Sequence, residues 1–221
     1  MPETQVTEWK GAVPVSTRFD DPYYSLDNGL AETRHVFLAG NGLPGRFTPG
    51  FRIAELGFGT GLNMLTALQA WRQSGTEGRL RYTSFEAFPL PAADLTRALE
   101  QFPELAPIAT PLIDAWTRGD RRITTEQLDA EIIEGDARKT LSKWNDKANA
   151  WFLDGFSPAK NPELWEADLL TEVARHTAPG GTAATYTAAG FVRRNLEAAG
   201  FAVTRSPGFG RKRHMTTAVL T

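Results

Sequence analysis

From residue 51 onward, short apolar runs alternate with longer amphipathic ones. The spacing predicts strands at "FRIAEL", "RYTSFEA", "AEIIEGD", "AWFLDG", "GTAATYT", "FAVTRS" and "HMTTAVL". Helices are predicted between them at about Leu62–Gln73, Ala92–Gln101, Arg138–Trp144, Pro162–His176 and Gly190–Ala199. A run such as "AWFL", apolar at every position, suits a strand covered by helices on both faces, and therefore a mostly parallel sheet. The last two runs are joined by a Pro- and Gly-containing loop, which predicts an antiparallel pair at the end. The predicted class is thus α/β: a mostly parallel seven-stranded sheet with an antiparallel last strand and helices on both faces. The first 50 residues are richer in Pro, Gly and Asp and read as an N-terminal extension folded onto a domain at 51–221. Three prolines between Pro103 and Glu126 make that stretch read as an excursion between helix and strand.

Composition narrows the chemistry. The chain of 221 residues has no cysteine, which excludes disulfides, thiolate zinc sites, iron–sulfur clusters and a cysteine nucleophile. Its three histidines, His35, His176 and His214, are dispersed, so no metal is expected. A net charge of -2 gives no general attraction to nucleic acid, and any such partner must meet a local patch. Candidate patches are "RGDRR" (118–122), Arg193 with Arg194, and "RKRH" (211–214), although short charge runs most often simply face water. No run approaches the roughly 20 apolar residues of a membrane span, and the start lacks the basic-then-apolar order of a secretory signal. A cytoplasmic location without membrane association is expected.

Open parallel sheets bind ligands beyond the carboxyl ends of their strands, and four successive predicted strands deliver an acid there. The first ends in Glu55 before Gly57, Gly59 and Gly61; the next three end in Glu86, Asp136 and Asp154. Glycine-rich turns often cradle pyrophosphate, but the spacing here is G-x-G-x-G, and two phosphates would meet several carboxylates. A ligand carrying an ammonium and a sulfonium would be attracted instead, and S-adenosyl-L-methionine is such a ligand. On that reading Glu55 lies near the methionine ammonium, and the glycine turn admits the methionine and ribose. Asn63 at the helix start completes the cofactor motif, Glu86 accepts from the ribose hydroxyls, and Asp136 accepts from the adenine amine. Taken singly, Glu86 or Asp136 is as well explained as a helix N-cap.

The segment "WFLDGFSPAKNPELW" (151–165) ends a strand on Asp154, presents Phe156, and starts a helix with Asn161 as N-cap and Pro162 at the first position. An acid beside an aromatic can hold an amine, accept its proton and let nitrogen attack a methyl carbon in line. Lys160 is either a phosphate contact or solvated.

These motifs, "ELGFGTGLNML", "SFEAFPL", "WFLDGFSPAKNPELW", "YTAAGFVRRNLEAAGF" and "GFGRKRHM", resemble the MnmC-type methyltransferase domain. "VSTRFDDPYYSLDNGLAETRHVFLAGNGL" resembles its N-terminal signature, so the likeness runs from about Val13 to the end. The resemblance implies a class I fold and S-adenosyl-L-methionine as donor. It further implies N-methylation of 5-aminomethyl-(2-thio)uridine at the tRNA wobble position, with Asp154 and Phe156 on the acceptor side. It gives the basic clusters a use at the anticodon loop: Arg193, Arg194, Arg211 and Lys212 on phosphates, with Tyr23 or Tyr24 stacking on a base. The fused flavin-dependent oxidase of many such proteins is not matched here, so a stand-alone form or a fragment is expected, with another enzyme supplying the aminomethyl intermediate. Rival readings on the same scaffold are a small-molecule N-methyltransferase, an aminopropyltransferase, and a non-catalytic nucleotide- or tRNA-binding module.

Overall fold

The computed structural model describes residues 7–26 and 28–221. Three short N-terminal strands, β1 (Thr7–Lys10), β2 (Val13–Ser16) and β3 (Asp21–Pro22), form a small antiparallel sheet. Helix α1 (Gly29–Thr33) continues through a wide turn and a tight turn to Asn41. The α/β body then runs β4 (Arg52–Leu56), α2 (Leu62–Ser74), β5 (Leu80–Glu86), α3 (Ala92–Leu99), α4 (Ala106–Arg118), β6 (Arg122–Thr124) and β7 (Leu128–Glu134). It continues with α5 (Ala137–Thr140), β8 (Ala148–Leu153), α6 (Ala167–Arg175), β9 (Thr177–Thr185), α7 (Gly190–Ala198), β10 (Phe201–Pro207) and β11 (His214–Leu220).

The main sheet has eight strands in the order β10-β11-β9-β8-β4-β5-β7-β6. Strands β9, β8, β4, β5 and β7 are mutually parallel, while β11, β10 and β6 pair antiparallel at the two edges. The chain winds outward from β4 through β5 to β7, then returns to lay β8 and β9 on the other side of β4. This reversal leaves a crevice between the carboxyl ends of β4 and β8, the place where open sheets of this kind bind ligands.

Two departures from the sequence reading have local causes. The supposed excursion at 103–126 holds helix α4 and edge strand β6, which makes the strand count eight rather than seven. Pro107 sits in the first turn of α4, where a proline costs little. The buried positions Ile108, Ala109, Leu112, Ala115 and Trp116 supply the apolar stripe, and Pro111 lies on the exposed side. The predicted helix at 162–176 is broken: a single turn at Pro162–Trp165 ends at Glu166, which is extended, before α6 begins.

Side-chain alternation divides the core. Ala54, Leu56, Phe85, Trp151 and Leu153 face the layer of α5, α6 and α7. Ile53, Tyr82, Ala150 and Phe152 face the layer of α2 and α4, which also takes Leu30, Val36, Phe37 and Phe47 from the N-terminal 50 residues. Glu55 belongs by the two-residue period to this second face, in register with Ser84 and Phe152. The small N-terminal sheet rests on α3, with Arg97 stacked 3.9 Å from the Trp9 ring centroid.

Candidate active site

A cavity of about 400 Å³ opens at the crevice between β4 and β8, within the size range of small-molecule and cofactor sites. Its floor is the turn after β4, which passes unusually close to the turn after β8. Gly57 adopts φ +83°, and a Cβ there would lie 3.1 Å from Gly155 Cα and 3.2 Å from Gly155 N. Both obstructions are backbone, so two glycines at the two strand ends are what let the loops meet. Gly57→Ala is expected to cost about 1–3 kcal/mol from the left-handed conformation and the clash, read as a drop in the thermal unfolding midpoint.

Glu86, at the end of β5, lines the cavity and is itself buried. It shapes the glycine turn: Gly59 N donates to its Oε2 at 3.0 Å, and Phe88 N to its Oε1 at 2.7 Å. Burial raises its pKa, and those backbone donors work against the rise.

Asp154 stands on the opposite wall. Gly155 N donates to its Oδ1 at 2.8 Å, and Asn63 Nδ2 donates to its Oδ2 at 2.7 Å. Desolvation pushes the carboxyl up to about 7; both of those donors, and Lys212, oppose the rise, and Glu32 adds to it. The same Asn63 nitrogen donates to Glu55 Oε1 at 2.8 Å, and Ser84 Oγ donates to Glu55 Oε2 at 2.7 Å. Glu55 is completely buried, lies off the cavity wall, and its pKa is held well above the usual carboxylate range by desolvation. The expectation is therefore corrected at this residue: its carboxyl is engaged by Asn63 and Ser84 and is not among the groups that line the cavity, so it is not presented there to an ammonium.

The roof comes from the N-terminal segment. Phe156 stacks on Phe19 with ring centroids 4.6 Å apart, and meets Tyr23 edge-on at 5.2 Å. Asp21 Oδ2 accepts from Ser157 N at 2.8 Å, and Lys160 pairs with Asp20 at 2.8 Å. Tyr23 lines the cavity, and its hydroxyl is buried without a hydrogen-bond partner. Burial, with Glu86 and Asp94 nearby, drives its pKa far up. Tyr24 packs edge-on against Phe102 at 5.2 Å, and its hydroxyl donates to Ala12 O at 3.1 Å; burial lifts its pKa to about 12.

The mouth is framed by Lys212, whose Nζ lies 4.1 Å from the Tyr186 ring centroid and 2.8 Å from Glu32 Oε1. Arg211 also lines it. Beyond the mouth, Arg205 donates to His214 Nδ1 at 2.8 Å. A guanidinium has no acceptor, so this nitrogen must be unprotonated and the ring neutral. Desolvation and the neighbouring Arg205, Arg213 and Arg193 lower the His214 pKa, in agreement, so "RKRH" presents three cations and not four.

The expected residues Gly57, Gly59, Asn63, Glu86, Asp154 and Phe156 are thus gathered on one cavity, with Tyr24, Arg211 and Lys212 at its sides. The others fall elsewhere. Gly61 packs against Leu112 and Phe58 at the start of α2. Asp136 caps α5, accepting from Arg138 N at 3.0 Å and from its guanidinium, so its carboxylate is not offered to the cavity. Lys160 is engaged with Asp20, and Arg193 and Arg194 stand on α7 outside the cavity. Tyr186, Glu32, Thr33 and Phe19 were missed. Tyr186 follows the carboxyl end of β9 and was legible by the same strand-end rule that picked out the acids. Glu32, Thr33 and Phe19 come from the N-terminal segment, where no periodicity pointed to the crevice.

Among the described residues no group of three or more metal-ligating side chains is found, and no helix is long and apolar enough to cross a membrane.

Residues 103–221 match the family described as S-adenosyl-L-methionine-dependent methyltransferase. Among solved structures, MnmC2 from Aquifex aeolicus is similar with a TM-score of 0.78 and 28% identity, over 99% of this chain and 72% of that one. Precorrin-6y C5,15-methyltransferase from Geobacter metallireducens GS-15 shares the fold at TM-score 0.51 and 13% identity, over 86% and 87% of the two chains. The glycopeptide N-methyltransferase MtfA, crystallised with sinefungin, does so at 0.51 and 16%, over 90% and 96%.

Proposed function

Since this chain belongs to the S-adenosyl-L-methionine-dependent methyltransferase family, we propose that it transfers the methyl group to the exocyclic amine of an aminomethyl-uridine in the wobble position of tRNA. The observation that carries the reading is Asp154: a cavity-facing carboxyl with a pKa of about 7, held by two donors and flanked by a stacked aromatic pair. The likeness to MnmC2 over 99% of the chain supports the same substrate class.

The cavity fits the cofactor. Its volume suffices, its floor is bare backbone at Gly57 and Gly59, and the buried Tyr23 hydroxyl lacks a partner. Glu86, Gly57, Gly59 and Tyr23 would hold it, and when bound it supplies an electrophilic methyl carbon on a sulfonium. An alkylammonium is not nucleophilic, so the acceptor must first lose a proton. Asp154 accepts that proton at a carboxylate oxygen, and a pKa near the working pH leaves the ionised form populated while keeping it basic enough to act. Phe156 and Phe19 present an aromatic face for a flipped-out pyrimidine, as single-stranded bases are generally read. The N-terminal segment, clamped by the Asp21 to Ser157 and Lys160 to Asp20 contacts, excludes water from the proton transfer. The described residues before 51, 7–26 and 28–50, therefore serve as the cover of a catalytic unit at 51–221. On this reading Arg211, at the side of the cavity, with Arg213 and Arg205 on the same terminal hairpin, meets the anticodon-loop backbone, and a separate enzyme supplies the aminomethyl group.

The deciding experiment combines purified protein, labelled S-adenosyl-L-methionine and tRNA bearing aminomethyl-uridine, followed by nucleoside mass analysis. A wobble uridine heavier by one methyl is the expected product; transfer only to small amines, or none, rejects the proposal. The phosphate contact is checked separately. Arg211→Ala is expected to flatten the plot of log affinity against log salt by about 0.7–0.9, and an unchanged slope removes Arg211 from the interface.

A further inference from the structure

Asn63 occupies an unusual electrostatic position. It stands in the first turn of α2 and is buried, and its amide nitrogen reaches two acids, Glu55 on β4 and Asp154 after β8. The nitrogen has two hydrogens, so each acid takes one. Its oxygen accepts from Thr33 Oγ1 on α1 at 2.9 Å. Reversing the amide would aim its oxygen at both acid oxygens, so the orientation is set by the pair it joins.

From this geometry we infer that Asn63 is a positioning residue that aims the Asp154 carboxylate into the cavity, and that Glu55 acts through Asn63, as a neutral carboxylic acid, rather than on the cofactor. The inference rests on the reading of Asp154 as the proton acceptor. Two carboxyls joined by one donor in a dry interior do not both ionise readily. Glu55 is the deeper, closed off from the cavity and bonded to Ser84 and Asn63. Asp154 opens onto the cavity, so the group that gains and loses the proton is the one that substrate can reach. Glu55 is a carboxyl where the strand period calls for an apolar side chain, and a neutral acid is the form such a position tolerates.

The charges that face Asp154 come from several elements. Glu55 and the Tyr82 hydroxyl lie on the sheet side, Glu32 on α1, Tyr186 after β9 and Lys212 between β10 and β11, with Asp21 on β3 acting on Tyr186. Glu32 and Lys212 are paired with each other, and their effects on Asp154 oppose. Neither is altered in the test below.

The test is a carboxyl-carbon NMR titration of the ligand-free protein, which needs no turnover, with kinetics alongside. In the native protein the Glu55 resonance should stay in its protonated position across neutral pH while Asp154 titrates. Removing a hydrogen bond to the charged form raises a carboxyl pKa, so Asn63→Ala should move the Asp154 midpoint, and the acid limb of kcat/KM, up by about one to two pH units. Glutamine at 55 can still accept from Asn63 and donate to Ser84 Oγ. Glu55→Gln should therefore leave the Asp154 midpoint, kcat and the affinity for S-adenosyl-L-methionine near native. Glu55→Ala should behave like Asn63→Ala. An Asp154 midpoint that falls in Glu55→Gln would mean that Glu55 is ionised in the native protein, and a tenfold loss of cofactor affinity would mean that its charge acts on the cofactor. Either result overturns the inference, as does an unmoved midpoint in Asn63→Ala. Should Asn63→Ala fail to fold, the native Glu55 resonance and the Glu55→Gln variant decide alone. Full turnover by Asp154→Asn would be a different failure, that of the proton-acceptor reading.

Discussion

Asp154→Asn is expected to lose turnover by about 10²- to 10⁴-fold, the usual range for removing a general base, and yet to hold its fold better than the native chain at alkaline pH. The second half follows from linkage. The folded-state pKa of Asp154 is about 7, above the ordinary value of about 4 in the unfolded chain. Below pH 4 both states are protonated and the burial has no electrostatic cost. As pH rises from about 4 to 7 the unfolded chain has released a proton that the folded state retains, so stability falls, and above 7 the penalty is complete. A shift of this size corresponds to at most about 4 kcal/mol, less where cavity water screens the group. Asparagine never ionises and escapes the pH-dependent part. It also brings an N–H₂ toward a donor, Gly155 N or Asn63 Nδ2, which costs about 1–3 kcal/mol at all pH values. The quantity to measure is thus the variant-minus-native unfolding free energy against pH, which should climb between pH 4 and 7 and then level. A flat difference would mean that Asp154 ionises in the folded protein near its ordinary value, with no burial penalty, and undiminished turnover at neutral pH would remove it from the chemistry. Catalytic poise held at the expense of stability is the common condition of such groups.

How far the sequence carried can be judged from particular residues. The five central strands and the crevice were legible because short apolar runs such as "AWFL" recur between amphipathic ones, and because the turn "GFGTG" and the end "LDG" announce where two of them stop. Helix α4 was hidden behind proline, since the reading weighed three prolines more heavily than the apolar stripe that two of them leave intact. Strand β6, three residues long and covered on one face only, carries too short a pattern to be read. Asp136 illustrates a different limit. An acid after a strand and an acid before a helix are the same residue in an α/β fold, and only the placement of Arg138 two residues on decides that its oxygens are used locally. Glu55 is the subtler case. Its position at the strand end was read correctly, but its direction follows from the register that sets it beside Ser84 and Phe152, and register belongs to the assembled sheet. The N-terminal contributions of Phe19, Glu32 and Thr33 depend on a docking between distant segments that no local pattern encodes.

Glu86→Ala should produce the second large effect, on the cofactor rather than on the proton. The Glu86 side chain does two jobs with the same oxygens. It accepts from Gly59 N and Phe88 N, which fixes the turn after β4 against the end of β5, and it presents its remaining lone pairs to the cavity. Truncation strands two backbone donors in a largely buried site, at about 1–3 kcal/mol each where water does not replace the oxygen. It also removes the acceptor proposed for the ribose hydroxyls. Affinity for S-adenosyl-L-methionine is expected to fall by at least about 10²-fold, since a site built to pair hydroxyls loses far more than one contact when its partner is gone. The two consequences separate in one measurement. The midpoint of ligand-free unfolding reports the turn, while the further rise on titrating cofactor reports binding, because a ligand of dissociation constant Kd stabilises by RT ln(1 + [L]/Kd). Glu86→Gln keeps one acceptor oxygen and should fall between the two in both readouts. A variant that melts early but still gains the native increment from cofactor would restrict Glu86 to shaping the turn and move the ribose hydroxyls to another partner, the unpaired Tyr23 hydroxyl being one candidate.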